Sequence, residues 1–288
     1  MPELPEVEVV KRSLEKKILN LIIQKVKIND SKLRYNVNKE KIYKLKGKKI
    51  EKIYRRSKFL IFQLTGKTFM LVHLGMTGKF FFIDKKKKKL KTSFYYKLDP
   101  EKDSKHDRII FYLESNQKLI YNDVRKFGFI KFYSKDKLNK SMHLKNLGPE
   151  PLNKGWNSTY FKRYILGRER TIKDILMDQK FVSGIGNIYA NETLFLSSIK
   201  PSRKVSKIKD HEIEKIIKNT KKILESSIKL GGSSIKDFSN DGKKGDFQQH
   251  FSVYGRKGEI CSNTDCNHLI NKSKISNRAT FFCKCCQK

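Results

Sequence analysis

The chain has 288 residues, 38% of them hydrophobic, and carries 65 Lys and Arg against 29 Asp and Glu for a formal net charge of +36. That apolar content excludes a disordered polyelectrolyte, and the length allows two cores plus a small appended module. No apolar run of about 18 residues occurs, which excludes a membrane-spanning helix, and the charge points to a polyanionic partner because neutralising phosphates releases condensed counterions.

The opening MPELPEVEVV is acidic and proline-marked, unlike a basic, apolar leader, so the protein is expected in the cytoplasm. Val7, Val10, Leu14 and Ile18 recur at helical spacing after Pro5, with Glu6 and Glu8 in the first turn, where carboxylates suit the macrodipole. An amphipathic helix therefore leads the chain. From Ile50 to Tyr133 the texture changes to the short runs KFLIFQL, TFMLVHL, KFFFI, RIIFYL, KLIYNDV and FGFIKFY, which predict an antiparallel sandwich or barrel. The lysine run from Lys85 to Lys91 reads as a solvated loop between strands. Because the chain is rich in Lys, Asn and Ile, an A+T-rich coding bias accounts for part of the charge as an alternative to function.

LGPEPL, from Leu147 to Leu152, reads as a junction, after which the pattern turns helical. STYFKRYIL, TIKDILMDQ, NIYANETLFLSSI and the stretch Asp210 to Lys229 carry apolar stripes, the last stopping at Gly231 and Gly232. Between the second and third lies KFVSGIGN. Gly184 and Gly186 permit a tight turn there, and a helix starting just beyond it offers free N–H groups to an anion such as a DNA phosphate.

All five cysteines fall in the last 28 positions. Cys261 and Cys266, then Cys283 and Cys286, form two pairs spaced CxxxxC and CxxC with sixteen residues between them, which suits one tetrahedral Zn²⁺. So small a module needs such a staple, since it cannot fold on apolar burial alone. Cys285 competes with Cys286 as the fourth ligand, and His268 with Cys266. The same segment holds Arg278 in NRATFFC, beside aromatics and well suited to a phosphate.

Taken together, PELPEVE, RRSKFL, HLGMTG, DVRKFG, LGPEPL, GIGNIYANE, VYGRKGE and NRATFFCKCCQK resemble, in order and along essentially the whole chain, the motifs of the formamidopyrimidine-DNA glycosylases. The resemblance implies an α+β protein: a leading helix and β-sandwich over 1–146, an all-helical helix-two-turn-helix domain with a lesion-capping loop over 147–254, and a β-hairpin zinc finger over 255–288. DNA would run through the cleft between domains. It further implies a monomer without an obligate protein partner, acting on damaged double-stranded DNA by excising oxidised purines and then cutting the abasic strand.

By that resemblance, and by the lower pKa of an α-amino group (near 8) than of lysine (about 10.4), Pro2 is expected to be the nucleophile once Met1 is removed. Glu3 is expected to carry protons, Glu6 to position the sugar or the amine, and Lys58 and Arg278 to aid phosphate contact and elimination. Met76, Arg125 and Phe127 match the family's void-filling set, His106, Arg125 and Arg170 its backbone contacts, and Asn187 its phosphate-binding turn. Gly231 to Phe247 resembles the loop that closes over the everted base. Three departures stand out: four residues inside the first cysteine pair where two are usual, a longer segment between Phe82 and His106, and Lys126 where arginine is usual. Two other readings remain open, namely the sister branch acting on oxidised pyrimidines and a non-catalytic zinc-containing nucleic-acid-binding protein.

Overall fold

In the computed structural model, residues 1–86, 89–91, 104–232 and 250–288 are described. They fall into two compact units, one built from Met1–Lys145 with Gly231 and Gly232, the other from Asn146–Leu230 together with the residues from 250 to Lys288.

The first unit opens with α1 (Leu4–Ile18), whose apolar side packs inward through Val7, Val10, Leu14 and Ile18. Nine strands follow: β1 (Ile23–Ile28), β2 (Ile50–Arg56), β3 (Phe59–Leu64), β4 (Thr68–His73), β5 (Lys79–Ile83), β6 (Lys89–Lys91), β7 (Asp107–Leu113), β8 (Lys118–Asn122) and β9 (Phe129–Ser134). Two short helices, α2 (Lys39–Tyr43) and α3 (Lys135–Leu138), flank them. The strands form a five-stranded sheet ordered β1-β7-β8-β5-β6 and a four-stranded sheet ordered β2-β3-β4-β9, with antiparallel pairing throughout. Apolar side chains of α1 and both sheets share one core, among them Ile53, Phe62, Val72, Phe80, Phe111 and Tyr121. This is the sandwich that the alternating runs predict.

Two expectations need correction. The lysine run is not wholly a loop, because Lys89–Lys91 form β6, paired with Phe81–Ile83; the aromatic edge of β5 supplies the ladder partner that composition alone hides. The sheet also begins before Ile50: β1 pairs with β7 through a register shift between Ile23 and Lys25, and such a bulge breaks the period-two signal.

In the second unit, α4 (Ser158–Ile165), α5 (Ile172–Met177), α6 (Asn187–Leu196) and α7 (Asp210–Lys229) match the predicted helices, and β10 (Ile270–Ile275) and β11 (Arg278–Cys283) make an antiparallel hairpin. Trp156, Phe161 and Phe181 pack edge to face or tilted, 4.9–5.3 Å apart, at the foot of α4. The stripe expected on α6 is absent: Ile188 through Phe195 are all buried, so this is a central helix surrounded by protein. Of the glycine-rich stretch likened to a capping loop, the part from 233 to 247 lies outside the described residues. No described helix is long and apolar enough to cross a membrane.

Candidate functional site

At the start of the chain several polar side chains are buried together. Glu3 is the N-cap of α1, and its backbone N–H donates to Glu6 Oε2 at 2.8 Å, closing a capping box. Pro2 is buried, as are Glu3 at 4% exposure, Glu6 at 1% and Lys58 at 7%. Lys58 occupies the two-residue turn between β2 and β3, where Ser57 adopts φ 55°. Arg55 braces that turn by donating from Nε to Glu8 of α1 at 2.9 Å and from Nη1 to the Ser57 carbonyl at 3.0 Å. Burial pushes the pKa of the leading amino group, that of Met1, below its ordinary value, opposed by Glu3 and Glu6 and reinforced by the positive charges of Lys58 and Arg125. The Met1 amine is thus biased toward its neutral form, in the field of the Glu3 and Glu6 carboxylates.

A second cluster in the same unit presents apolar side chains to solvent. Met76 is 40% exposed and Phe127 46%, and the Arg125 guanidinium lies 4.5 Å above the Phe127 ring. They sit on two turns, one after β4 and one between β8 and β9, pressed backbone to backbone: a Cβ on Gly75 would lie 2.5 Å from both Gly128 N and Phe127 C. Gly75 also has φ +60°, and its N–H donates to His73 Nδ1 at 3.0 Å. Burial lowers the His73 pKa to about 4, helped by Lys58, Arg34 and His143, which keeps the ring neutral and leaves one ring nitrogen free of a proton. Gly75→Ala combines a strained φ with a backbone clash and is expected to destabilise the first unit by about 2–3 kcal/mol in chemical denaturation. Unchanged stability would contradict this packing. His106 lies on the segment leading into β7, with its ring Nδ1 3.2 Å from Arg108 Nη2, while Arg108 Nε donates to the Asp123 carbonyl at 2.9 Å. Lys126, the departure from arginine, pairs with Asp30 at 2.6 Å.

In the second unit, Gly184 has φ +90° and Gly186 is the N-cap of α6, so the turn the glycines predict leads straight into that helix. Asn187, its first residue, donates from Nδ2 to the Ala279 carbonyl at 2.9 Å. Asn191 donates to the Asn187 carbonyl at 2.6 Å and accepts from Phe281 N–H at 2.8 Å. These bonds tie the hairpin to α6. Ser276 and Asn277, at φ 44° and 59°, form the two-residue turn of the hairpin, and Arg278 follows it, exposed. Arg170 is engaged elsewhere, donating to Asp178 Oδ2 at 2.7 Å and to the Asp174 carbonyl at 3.2 Å.

The sulfurs of Cys261, Cys266, Cys283 and Cys286 lie within 4.8 Å of one another, a grouping able to hold a metal ion. Cys266, His268 and Cys285 make a smaller grouping in which the last two are exposed. The His268 backbone N–H holds the Cys266 thiol down to about 6, whereas burial pushes Cys286 up to about 12. Sequence reasoning missed three groups that support these sites: Asp123, Thr77 and the buried Lys173, whose Nζ donates to the Ala279 carbonyl at 3.0 Å and to Thr280 Oγ1 at 2.6 Å. A lone polar residue carries no periodic signal, so only contacts in space reveal it.

A model of the formamidopyrimidine-DNA glycosylase N-terminal domain matches residues 1–130, and one of that glycosylase's H2TH domain matches 147–239. The class is therefore a glycosylase-type N-terminal domain followed by a helix-two-turn-helix domain. A formamidopyrimidine-DNA glycosylase of Rickettsia felis is 39% identical over 288 residues, covering 100% of this chain and 98% of the relative. That of Rickettsia bellii is 39% identical over 289 residues, covering 100% of both. The Lactococcus lactis Fpg in complex with DNA containing an abasic site superposes with a TM-score of 0.84 at 34% identity, over 99% of both chains. A variant of it with Fapy-dG DNA gives a TM-score of 0.85 at 34% identity over 100% of both. The chain belongs to the formamidopyrimidine-DNA glycosylase family.

Proposed function

We propose that the protein is a base-excision DNA glycosylase and abasic-site lyase that removes oxidised purines from duplex DNA, with Pro2 as nucleophile after removal of Met1. The observation that carries this reading is the buried grouping of Pro2, Glu3, Glu6 and Lys58 around the leading amine. The Pro2 nitrogen pair would bond to C1′ of the damaged nucleotide as the bond from C1′ to the base breaks, the base leaving with the bonding pair and taking up a proton. Opening of the C1′–O4′ bond, with the nitrogen's proton passing to O4′ through Glu3, leaves an iminium. The iminium acidifies C2′–H, and loss of that proton expels the 3′ phosphate; a second elimination at the 5′ side completes β,δ-cleavage. Lys58 and Arg278 would hold the phosphates around the lesion.

Eversion of a nucleotide leaves a gap in the stack, and apolar or planar side chains fill it at least cost. Exposure of Met76 and Phe127, with Arg125 stacked on the latter, supports that role for the three. His106, Arg170 and Asn187 would contact the backbone. For Arg170 this requires that it leave or share its bond to Asp178, and Asn187 retains one side-chain hydrogen and its helix N-terminus for a phosphate. Residues 1–146 would form the catalytic domain, 147–254 the helix-two-turn-helix domain and 255–288 the zinc finger. The four-sulfur donor set fits Zn²⁺, held by Cys261, Cys266, Cys283 and Cys286, and the ion would stabilise the hairpin that carries Arg278.

Excision measured on duplexes with 8-oxoguanine opposite cytosine and with 5-hydroxyuracil or thymine glycol tests the substrate class. Faster release of 8-oxoguanine is expected. A marked preference for the pyrimidine lesions would place the chain in the sister branch.

A further inference from the structure

We infer that Asp123, acting through Thr77, is the positioning residue that locks the Met76, Arg125/Phe127 and His106 segments into one arrangement for DNA. Asp123 follows β8 and is fully buried. Its Oδ1 accepts from the Thr77 hydroxyl at 2.5 Å, and the Thr77 oxygen in turn accepts from the Arg125 backbone N–H at 3.0 Å. Its Oδ2 accepts from Gly128 N–H at 2.8 Å and from the Tyr121 hydroxyl at 3.4 Å. Its backbone N–H donates to the His106 carbonyl at 3.1 Å, and its carbonyl accepts from Arg108 Nε at 2.9 Å. One residue thus reaches the turn that carries Met76, the turn that carries Arg125 and Phe127, and the segment that carries His106.

Exposed side chains fill a gap of fixed size only when the backbone beneath them is fixed, because a loop that must first be ordered charges its entropy to the binding step. Here the buried carboxylate's acceptors are spent on the Thr77 hydroxyl and the Gly128 amide of the turns that present the two exposed apolar side chains, and on the Tyr121 hydroxyl of β8. Asp123 and Thr77 therefore touch neither the sugar nor the leaving base; they act through Met76, Arg125 and Phe127.

This inference rests on the void-filling role proposed above; Phe127→Ala, which leaves Asp123 and Thr77 in place, separates the two, since unchanged duplex excision in that variant overturns the void-filling role itself. Thr77→Val keeps the size of the side chain and removes the hydroxyl that joins Asp123 to Arg125; Thr77→Ser restores it. With the full chain, two rates are measured for each: single-turnover excision from a lesion-bearing duplex, and borohydride trapping on a single-stranded abasic oligonucleotide, which has no stack to fill. Thr77→Val is expected to slow duplex excision by roughly tenfold or more with trapping unchanged, and Thr77→Ser to behave as wild type. Asp123→Asn, which cannot accept from both Thr77 and Gly128, is expected to show the same split. Unchanged excision in Thr77→Val, or a parallel loss in both assays, overturns the inference. Failure of the wild-type protein to trap at all instead overturns the nucleophile reading.

Discussion

Protein that retains Met1, or carries an uncleaved tag ahead of Pro2, is expected to form no borohydride-reducible adduct with abasic DNA and to lose strand cleavage by at least on the order of 10³-fold, while still binding duplex. The reason is electronic as well as steric. An amide nitrogen has given its lone pair to the carbonyl, and Pro2 joined to a preceding residue is such a nitrogen. A retained Met1 brings its own free amine, but one residue away from the Pro2 nitrogen, so it does not present a nucleophile at the position proposed for Pro2. Binding should survive because Met76, Arg125, Phe127 and the basic surface are untouched. Intact mass and trapping on the same sample decide the matter: a tagged protein with full lyase activity would refute the mechanism.

Cys283→Ser is expected to abolish zinc binding and weaken duplex affinity by roughly tenfold or more, about 1.4 kcal/mol, without altering trapping on a single-stranded abasic oligonucleotide. Cys283 is fully buried, and its sulfur lies 3.7 Å from that of Cys266. Losing one thiolate should loosen the hairpin whose Ala279 carbonyl and Phe281 N–H are held by Lys173, Asn187 and Asn191. The exposed Arg278 then loses its fixed base. Cys285→Ser, outside the four-sulfur grouping, should leave metal content and affinity as they are. Equal zinc content and equal affinity in Cys283→Ser would rule out a structural role for the site.

Much of this was legible in the residues. Apolar runs and turn signals located α1, the strands β3, β4, β5, β7, β8 and β9, and α4 to α7, because each buries apolar side chains or is bounded by Gly, Pro or a capping residue. Where a strand lacked those marks it was missed. β1 has outward lysines and a bulge, and β6 is a lysine-rich edge whose partner is aromatic. At the candidate site, the motif residues at the start of the chain were found because they are contiguous or match known patterns. Asp123 and Thr77 lie inside the quoted motifs DVRKFG and HLGMTG but were given no role there, and Lys173 was missed because its partners, Ala279 and Thr280, lie far away in sequence. The relation of Glu6 to the Glu3 amide was foreseen only as one option among several, as capping and catalysis favour the same residue type at that position.

The close approach of Gly75 to Phe127 and Gly128 bears on how this chain can be re-engineered. With peptide planes in contact across the pair of turns, a loop transplanted from a relative will seat only if its counterpart comes with it. The two turns are therefore a single exchangeable cassette, and specificity redesign by swapping either one alone should yield misassembled protein rather than altered recognition.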